Sequence, residues 1–250
     1  MAILHLLGTG AAVSDANRST TMLAIENSES LIVIDCGGDV VQKLLLSGAN
    51  IDNLKALIVT HEHADHISGF PLFMERIWLL GRREPVPVYG IKEAISQAKR
   101  MHETFDTSDW PGYPKIDWRE LDKTENSLLL SDNNWEIHTS AGTHGVPVIG
   151  LRILNKQSAN VVSYSCDTEY SESIVSLAEG SRILVHEASG PLSGHSTAAD
   201  AARAAAKSKS KRLLLVHVPP KELLSNEVIA EARQIFANLD VADEGSKYEF

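Results

Sequence analysis

Cysteine is scarce: Cys36 and Cys166 are the only two in a chain of 250 residues. That excludes a disulfide scaffold and a cysteine-rich zinc finger, and a reducing cytosol argues against pairing the two. No apolar run approaches the roughly 18 residues that cross a bilayer, so no membrane partner is expected. Met1 to Leu7 is too short and uncharged for a signal peptide, and the expected location is cytoplasmic. Positive charge is in deficit, with 23 Lys and Arg against 33 Asp and Glu and a formal charge of −10. Such a balance disfavours holding nucleic acid by broad phosphate neutralisation, although a local basic patch stays open. Internal repeats and domain-splitting linkers are missing too, so residues 1–250 read as one domain with room for a sizeable core.

What is there is histidine, ten in all, with His61, His63 and His66 in one short cluster. The segments around it read as alternating strands and helices. Ala2–Leu7 is a strand broken by Gly8-Thr9-Gly10-Ala11-Ala12. No third glycine and no amphipathic helix follow, so a tight turn near a site fits better than a dinucleotide loop. Thr20–Glu26 and Leu31–Asp35 form a hairpin. Val40, Val41, Leu44 and Leu45 have helical spacing with Gly48 as the stop. Ala56–Thr60 is a buried strand that runs directly into His61. Helices are expected over 70–80 and 92–103, and a proline-bearing strand near a sheet edge over 86–89. Residues 105–114 form a loop whose Trp110 and Tyr113 read as packing anchors. Strands follow at 127–130, 135–140, 148–154, 161–165, 182–186 and 212–216. Helices fall at 171–178, 197–206 and 226–236, and the polar tail 240–250 is expected to fray. Strand-rich blocks with helices between them imply stacked sheets covered by helices.

His61-Glu62-His63-Ala64-Asp65-His66 is the most informative stretch. It follows a buried strand, so its side chains emerge where sites in such sheets tend to lie. Three imidazoles crowded near a core are costly when charged and unsatisfied when neutral. A metal ion resolves this by binding neutral His together with ionised Asp. His61 and His63, two apart, suit one ion, and Asp65 with His66 suits a second.

His-x-His-x-Asp-His after a hydrophobic strand resembles the metallo-β-lactamase fold, and the resemblance supplies further candidate ligands. These are His144 in Ala141-Gly142-Thr143-His144-Gly145, Asp167 in Tyr164-Ser165-Cys166-Asp167-Thr168, and His217 at the end of Leu215-Val216-His217. Within that superfamily the chain is most similar to the ribonuclease Z group, over nearly its whole length. Leu7–Ala12, the Arg18 loop (Asn17-Arg18-Ser19) and Asp35-Cys36-Gly37 resemble the group's early motifs. His186-Glu187-Ala188 and Gly194-His195-Ser196-Thr197 resemble two late ones that are less common elsewhere in the superfamily. Ser196 or Thr197 also reads as a plain helix cap.

The resemblance implies an α+β fold, a four-layer αβ/βα sandwich of two mixed sheets covered by helices, and a homodimer. It implies two Zn²⁺ per chain, with Mn²⁺ a possible substitute. One ion falls to His61, His63 and His144 and the other to Asp65, His66 and His217, with Asp167 bridging. The implied activity is phosphodiester hydrolysis by a metal-bridging hydroxide. His195 acts as acid, Glu187 holds its other nitrogen, and Asp65 counts among the catalytic residues as well as the ligands. His186 reads as structural, and His5, His102 and His138 carry no role. Two departures stand out. The group's long tRNA-gripping arm lies between the positions of His144 and Asp167, which here are too close together to hold it. The group's His-x-Ser-x-Arg-Tyr ending is here His217-Val218-Pro219-Pro220-Lys221. Both count against folded tRNA and favour small or single-stranded phosphodiesters. A thioesterase or lactonase would use the same ligands without needing His195 and Glu187, and a non-catalytic metal-binding partner subunit would need neither.

Overall fold

The first and last strands of the chain lie side by side, and that pairing frames the architecture. The computed structural model describes residues 1–13, 16–122, 124–220 and 224–250. Lys221, the last residue of the divergent ending, lies outside them. Strand β1 (Ile3–Gly8) pairs antiparallel with β2 (Met22–Glu26), and β2 with β3 (Leu31–Ile34). Asn27 closes that hairpin, its side-chain oxygen accepting the Glu29 N–H at 2.9 Å in an Asx turn. From β3 the sheet continues in parallel through β4 (Leu54–Val59), β5 (Val86–Ile91) and β6 (Ile116–Leu121). The crossovers are helical: α1 (Val40–Ser47), the short α2 (Ala64–Ile67) with α3 (Phe70–Leu79), and α4 (Lys92–His102).

A second sheet repeats the plan. β7 (Ser127–Ser131), β8 (Trp135–Ala141), β9 (Ile149–Asn155) and β10 (Val161–Tyr164) run antiparallel. β11 (Ile183–Glu187), β12 (Leu213–Val216) and β13 (Leu239–Val241) then continue in parallel. Their crossovers are α5 (Glu172–Leu177), α6 (Ala198–Lys207) and α7 (Asn226–Ile235). With β14 (Lys247–Glu249) the first sheet has the order β14-β1-β2-β3-β4-β5-β6 and the second β13-β12-β11-β10-β9-β8-β7. This is the expected sandwich of two mixed sheets flanked by helices.

Pleat alternation builds two cores. Leu214 and Val216 join the apolar layer between the sheets, whereas Leu213 and Leu215 face the other way beneath α6. Small side chains at Ala201, Ala202 and Ala205 let that helix lie close on the sheet. Parallel strands covered on both faces read as continuous apolar runs, which is why β4, β11 and β12 were plain in the sequence.

One of these expectations fails. The tail does not fray: β13 and β14 add a strand to each sheet, the Phe250 N–H donates to Ala2 O at 3.0 Å, and Phe250 stacks on Trp135. Leu45 is 55% exposed, outside the buried stripe of Val40, Val41 and Leu44. The proline strand lies near the sheet edge as expected, one position in, with β6 outside it. Pairing with β4 begins only at Val88, so the N–H that Pro87 lacks falls where β5 has a single neighbour. Among the described residues no helix is long and apolar enough to cross a membrane.

Candidate metal centre

Several candidate side chains leave a strand at or just past its C-terminal end. β4 delivers Thr60 and His61, β10 delivers Asp167, β12 delivers His217, and Glu187 is the last residue of β11. Asp35, Cys166 and His217, all just past strand ends, hold left-handed φ values of 61°, 54° and 49°. Left-handed backbone at a non-glycine residue is sparsely populated and gathers at functional sites. His63 caps α2, which carries Asp65 and His66. Glycine lets α2 come close: a Cβ on Gly37 would lie 1.6 Å from Asp65 O, and one on Gly69 2.1 Å from Gly38 O.

Among the groups of ligand atoms that converge here are two overlapping sets of four, His61, His63, His144 and Asp167 in one, and Asp65, His66, Asp167 and His217 in the other; smaller groups join Cys166 to His61 and His66, and Glu187 and His195 to His217. The two sets of four are the groups expected from the sequence, sharing Asp167. His61 and His66 have no exposure, Asp167 1% and His217 2%. Asp167 Oδ2 lies 3.8 Å from His61 Nε2, 3.5 Å from His66 Nε2 and 3.3 Å from His217 Nε2, while Asp65 Oδ2 lies 3.1 Å from His217 Nε2. Ligand atoms about 2.0–2.1 Å from a shared tetrahedral ion stand about 3.4 Å apart. His61 Nε2, His66 Nε2 and Asp167 Oδ1 are buried and have no hydrogen-bond partner. Orphaned lone pairs converging in this way fit a divalent cation, because burying them unsatisfied is otherwise costly.

For four of the five imidazoles, all but His63, hydrogen bonds on the far side of the ring fix which nitrogen faces inward. His66 donates Nδ1–H to Asp35 Oδ2 at 2.8 Å, and His144 donates Nδ1–H to Gly194 O at 2.6 Å. Ser189 donates its hydroxyl to His217 O and so accepts Nδ1–H of His217 at 2.7 Å. Thr60 donates its hydroxyl to Asp35 and accepts from His61 Nδ1 at 3.2 Å. Asp35 thus orients His66 directly and His61 through Thr60. This orienting role is absent from the sequence reading, where Asp35 figured only in a strand-end motif; a carboxylate beside the ligand-bearing strand was its one signal.

The charges are consistent with a cation site. Burial alone would raise the Asp167 carboxyl, but the imidazoles of His217 and His66 overcome it and hold the group well below the usual range. Burial pushes the His61 imidazole well down. For His66, burial is outweighed by Asp167 and Asp35, which raise it well above its ordinary value.

Beside the cluster, Glu187 is fully buried rather than a surface carboxylate. Its oxygens accept from His195 Nδ1 at 2.9 Å, Ser189 N at 2.8 Å, and Thr168 N and Ser196 N at 3.1 Å. The bond to Glu187 raises the His195 imidazole despite partial burial. The His195 ring lies parallel to His217, 5.7 Å away, and edge-on to His144 at 4.8 Å. Thr197 caps α6 in a capping box with Asp200, so cap and site-facing histidine coexist. His186 is buried and donates Nδ1–H to Glu187 O. His5, His102 and His138 bond to Glu26, Tyr113 and Glu136. Gly10 bridges Thr20, just past the Arg18 loop, and Val218, so the glycine turn does lie beside the site. Between His144 and Asp167 stand only β9, a turn and β10.

A family model described as beta-lactamase superfamily domain matches residues 31–218. A curated relative named Ribonuclease Z, from Methanothermobacter thermautotrophicus, is 26% identical over 95% of this chain and 93% of its own length. Its alignment runs over 293 positions, more than the 250 residues here, so that relative carries residues this chain lacks. The crystal structure of the metallo-beta-lactamase fold protein YhfI from Bacillus subtilis superposes with a TM-score of 0.81 at 21% identity, covering 100% of this chain and 99% of that one. Human tRNase Z, short form, gives 0.76 at 22% identity, covering 99% and 98%.

Proposed function

Because the chain belongs to the beta-lactamase superfamily, we propose that it is a binuclear metal-dependent hydrolase, a ribonuclease Z-like phosphodiesterase acting on small or single-stranded substrates. The observation that carries this reading is the buried Glu187 carboxylate holding His195 against His217. Hydrolysis of a thioester has no need of such a pair, because its thiolate departs without strong protonation; a lactone expels an alkoxide, and what argues against it is the set of relatives named Ribonuclease Z. A phosphodiester with an alkoxide leaving group does need it. The curated relatives named Ribonuclease Z, matched over most of both chains, support the same chemistry.

His61, His63, His144 and Asp167 would hold one ion, and Asp65, His66, His217 and Asp167 the other. When bound, zinc or manganese ions supply a nucleophilic water near neutral pH and offset charge on the phosphoryl oxygens. The remaining work falls to the chain. Asp35, Gly194 O and Ser189 take the Nδ1–H of His66, His144 and His217 and so turn the Nε2 of each towards the ions. Asp65 sets one oxygen towards His217 and would hold its ion there. Glu187 fixes the proton on His195 Nδ1 and favours the imidazolium, so Nε2–H is available to the departing oxygen.

His195→Ala tests this assignment. It should bind both metals normally yet lose roughly 10²–10⁴-fold in turnover of substrates with alkoxide leaving groups. On a nitrophenyl diester, whose leaving group needs little protonation, the loss should be much smaller. Equal losses on both would make His195 a phosphate-positioning residue instead.

A further inference from the structure

The loop between α4 and β6 carries Trp110 and Tyr113, and it separates two clefts. The smaller, about 220 Å³, lies against the start of α3 between Pro71, Leu72 and Phe105. The larger, about 430 Å³, opens towards Lys99, Lys115 and Trp118. Both are lined by Trp110 and Tyr113. These two rings do not depend on a ligand for their positions. Trp110 packs on Trp78 at 4.7 Å, Tyr113 stands edge-on to Trp110, and Trp78 donates its indole N–H to Pro111 O at 3.1 Å. Leu72 and Phe105 nevertheless remain 39% and 59% exposed. Adjoining exposed apolar and aromatic surface of this kind marks an interaction site more often than chance.

The smaller cleft lies on the helix that follows the candidate ligands in the chain. Pro71 follows the candidate ligand His66 by five residues, a reach of at most about 18 Å along the chain. The ring of Phe70 packs against His102 and Trp118, both of which line the larger cleft. Cations stand at the far end: Lys99 lies over the Trp118 ring and 3.5 Å from Glu120, while exposed Lys115 has no ion pair among the described residues. Glu103 is the one acidic residue lining the larger cleft. In a chain of net charge −10, rings and lysines in one place suit a ligand that is aromatic at one end and anionic at the other.

We propose that the two clefts form a nucleotide track, taking successive bases against Trp110 and Tyr113 and a phosphate at Lys99 and Lys115. It holds single-stranded nucleic acid that leads away from the cluster across α3. This deepens the phosphodiesterase reading and rests on it. Stacking on aromatic rings is indifferent to sequence, and lysines that follow the backbone add salt-dependent attraction.

The test uses the metal-loaded protein with two variants: Trp110→Leu, and Lys115→Glu at an exposed position that leaves packing intact. Calorimetric titration should show adenosine monophosphate binding more tightly than adenosine or inorganic phosphate, and both variants should weaken it. For a short single-stranded oligonucleotide, KM should rise roughly ten- to hundredfold in each variant. Turnover of a bis-nitrophenyl diester, too small to span the track, should not change. An unchanged KM with unchanged nucleotide binding overturns the track and leaves the hydrolase reading standing. Nucleotide binding that both variants weaken, in a protein that turns over no diester, supports the track and removes the hydrolase reading. If light scattering shows the variants converting a dimer to monomer while nucleotide binding is unaffected, this face is an interface between copies of the chain, and the track is wrong.

Discussion

Asp35 carries no ligand atom of its own, yet it orients one imidazole from each of the two overlapping ligand sets. Its carboxylate takes the Nδ1–H of His66 and the backbone and hydroxyl groups of Thr60, and Thr60 in turn faces His61. Asp35→Asn keeps the shape and tolerates the left-handed backbone, so its effect isolates the lost charge and acceptor. Metal affinity should fall roughly 10–100-fold, read by competition with a chromogenic chelator. Affinity equal to the parent would mean that His61 and His66 are held by packing alone. The candidate ligands that the structure brings together were legible in the sequence because four lie in one run of six residues and each of the others sits within a recognisable motif. Their partners were not. Ser189, the carbonyl of Gly194 and Asp35 meet the imidazoles only through tertiary contacts, and nothing local in the chain marks those hydroxyls, carbonyls and carboxylates as partners.

Among the elements, legibility followed burial and length. β4, β11 and β12, enclosed between core and helices, announce themselves as apolar runs. β6 is half-polar and lies on an edge, and α2 spans four residues, too few for any periodicity to show. The tail misled for the same reason, since β13 and β14 have three residues each and alternate with charge. What anchors them is not local: register with β12 and β1, and Phe250 against Trp135. Phe250→Ala should therefore cost about 2–3 kcal/mol and lower Tm by roughly 5–10 °C at this chain length, measured by thermal denaturation. A fraying tail would give no change.

At the scale of the whole molecule, both sheets end their parallel strands at one edge of the sandwich, and the candidate ligands collect there from either side. Asp167, contributed by the second sheet, is the shared member of both sets. Reconstituted protein should accordingly carry close to two transition-metal ions per chain by elemental analysis, and Asp167→Ala should lose one or both. One ion in the intact protein would contradict the binuclear reading. The central claim is the reaction class, and the most direct measurement is a turnover panel on metal-reconstituted protein, run with and without a chelator. The panel holds a bis-nitrophenyl phosphodiester, a short single-stranded oligonucleotide, an acyl thioester and a lactone. The account predicts turnover of the two phosphodiesters, abolished by the chelator and restored by metal, with the thioester and lactone left essentially intact. Hydrolysis of the thioester or lactone with both phosphodiesters inert, or no turnover of anything in protein that holds its metal, would contradict it.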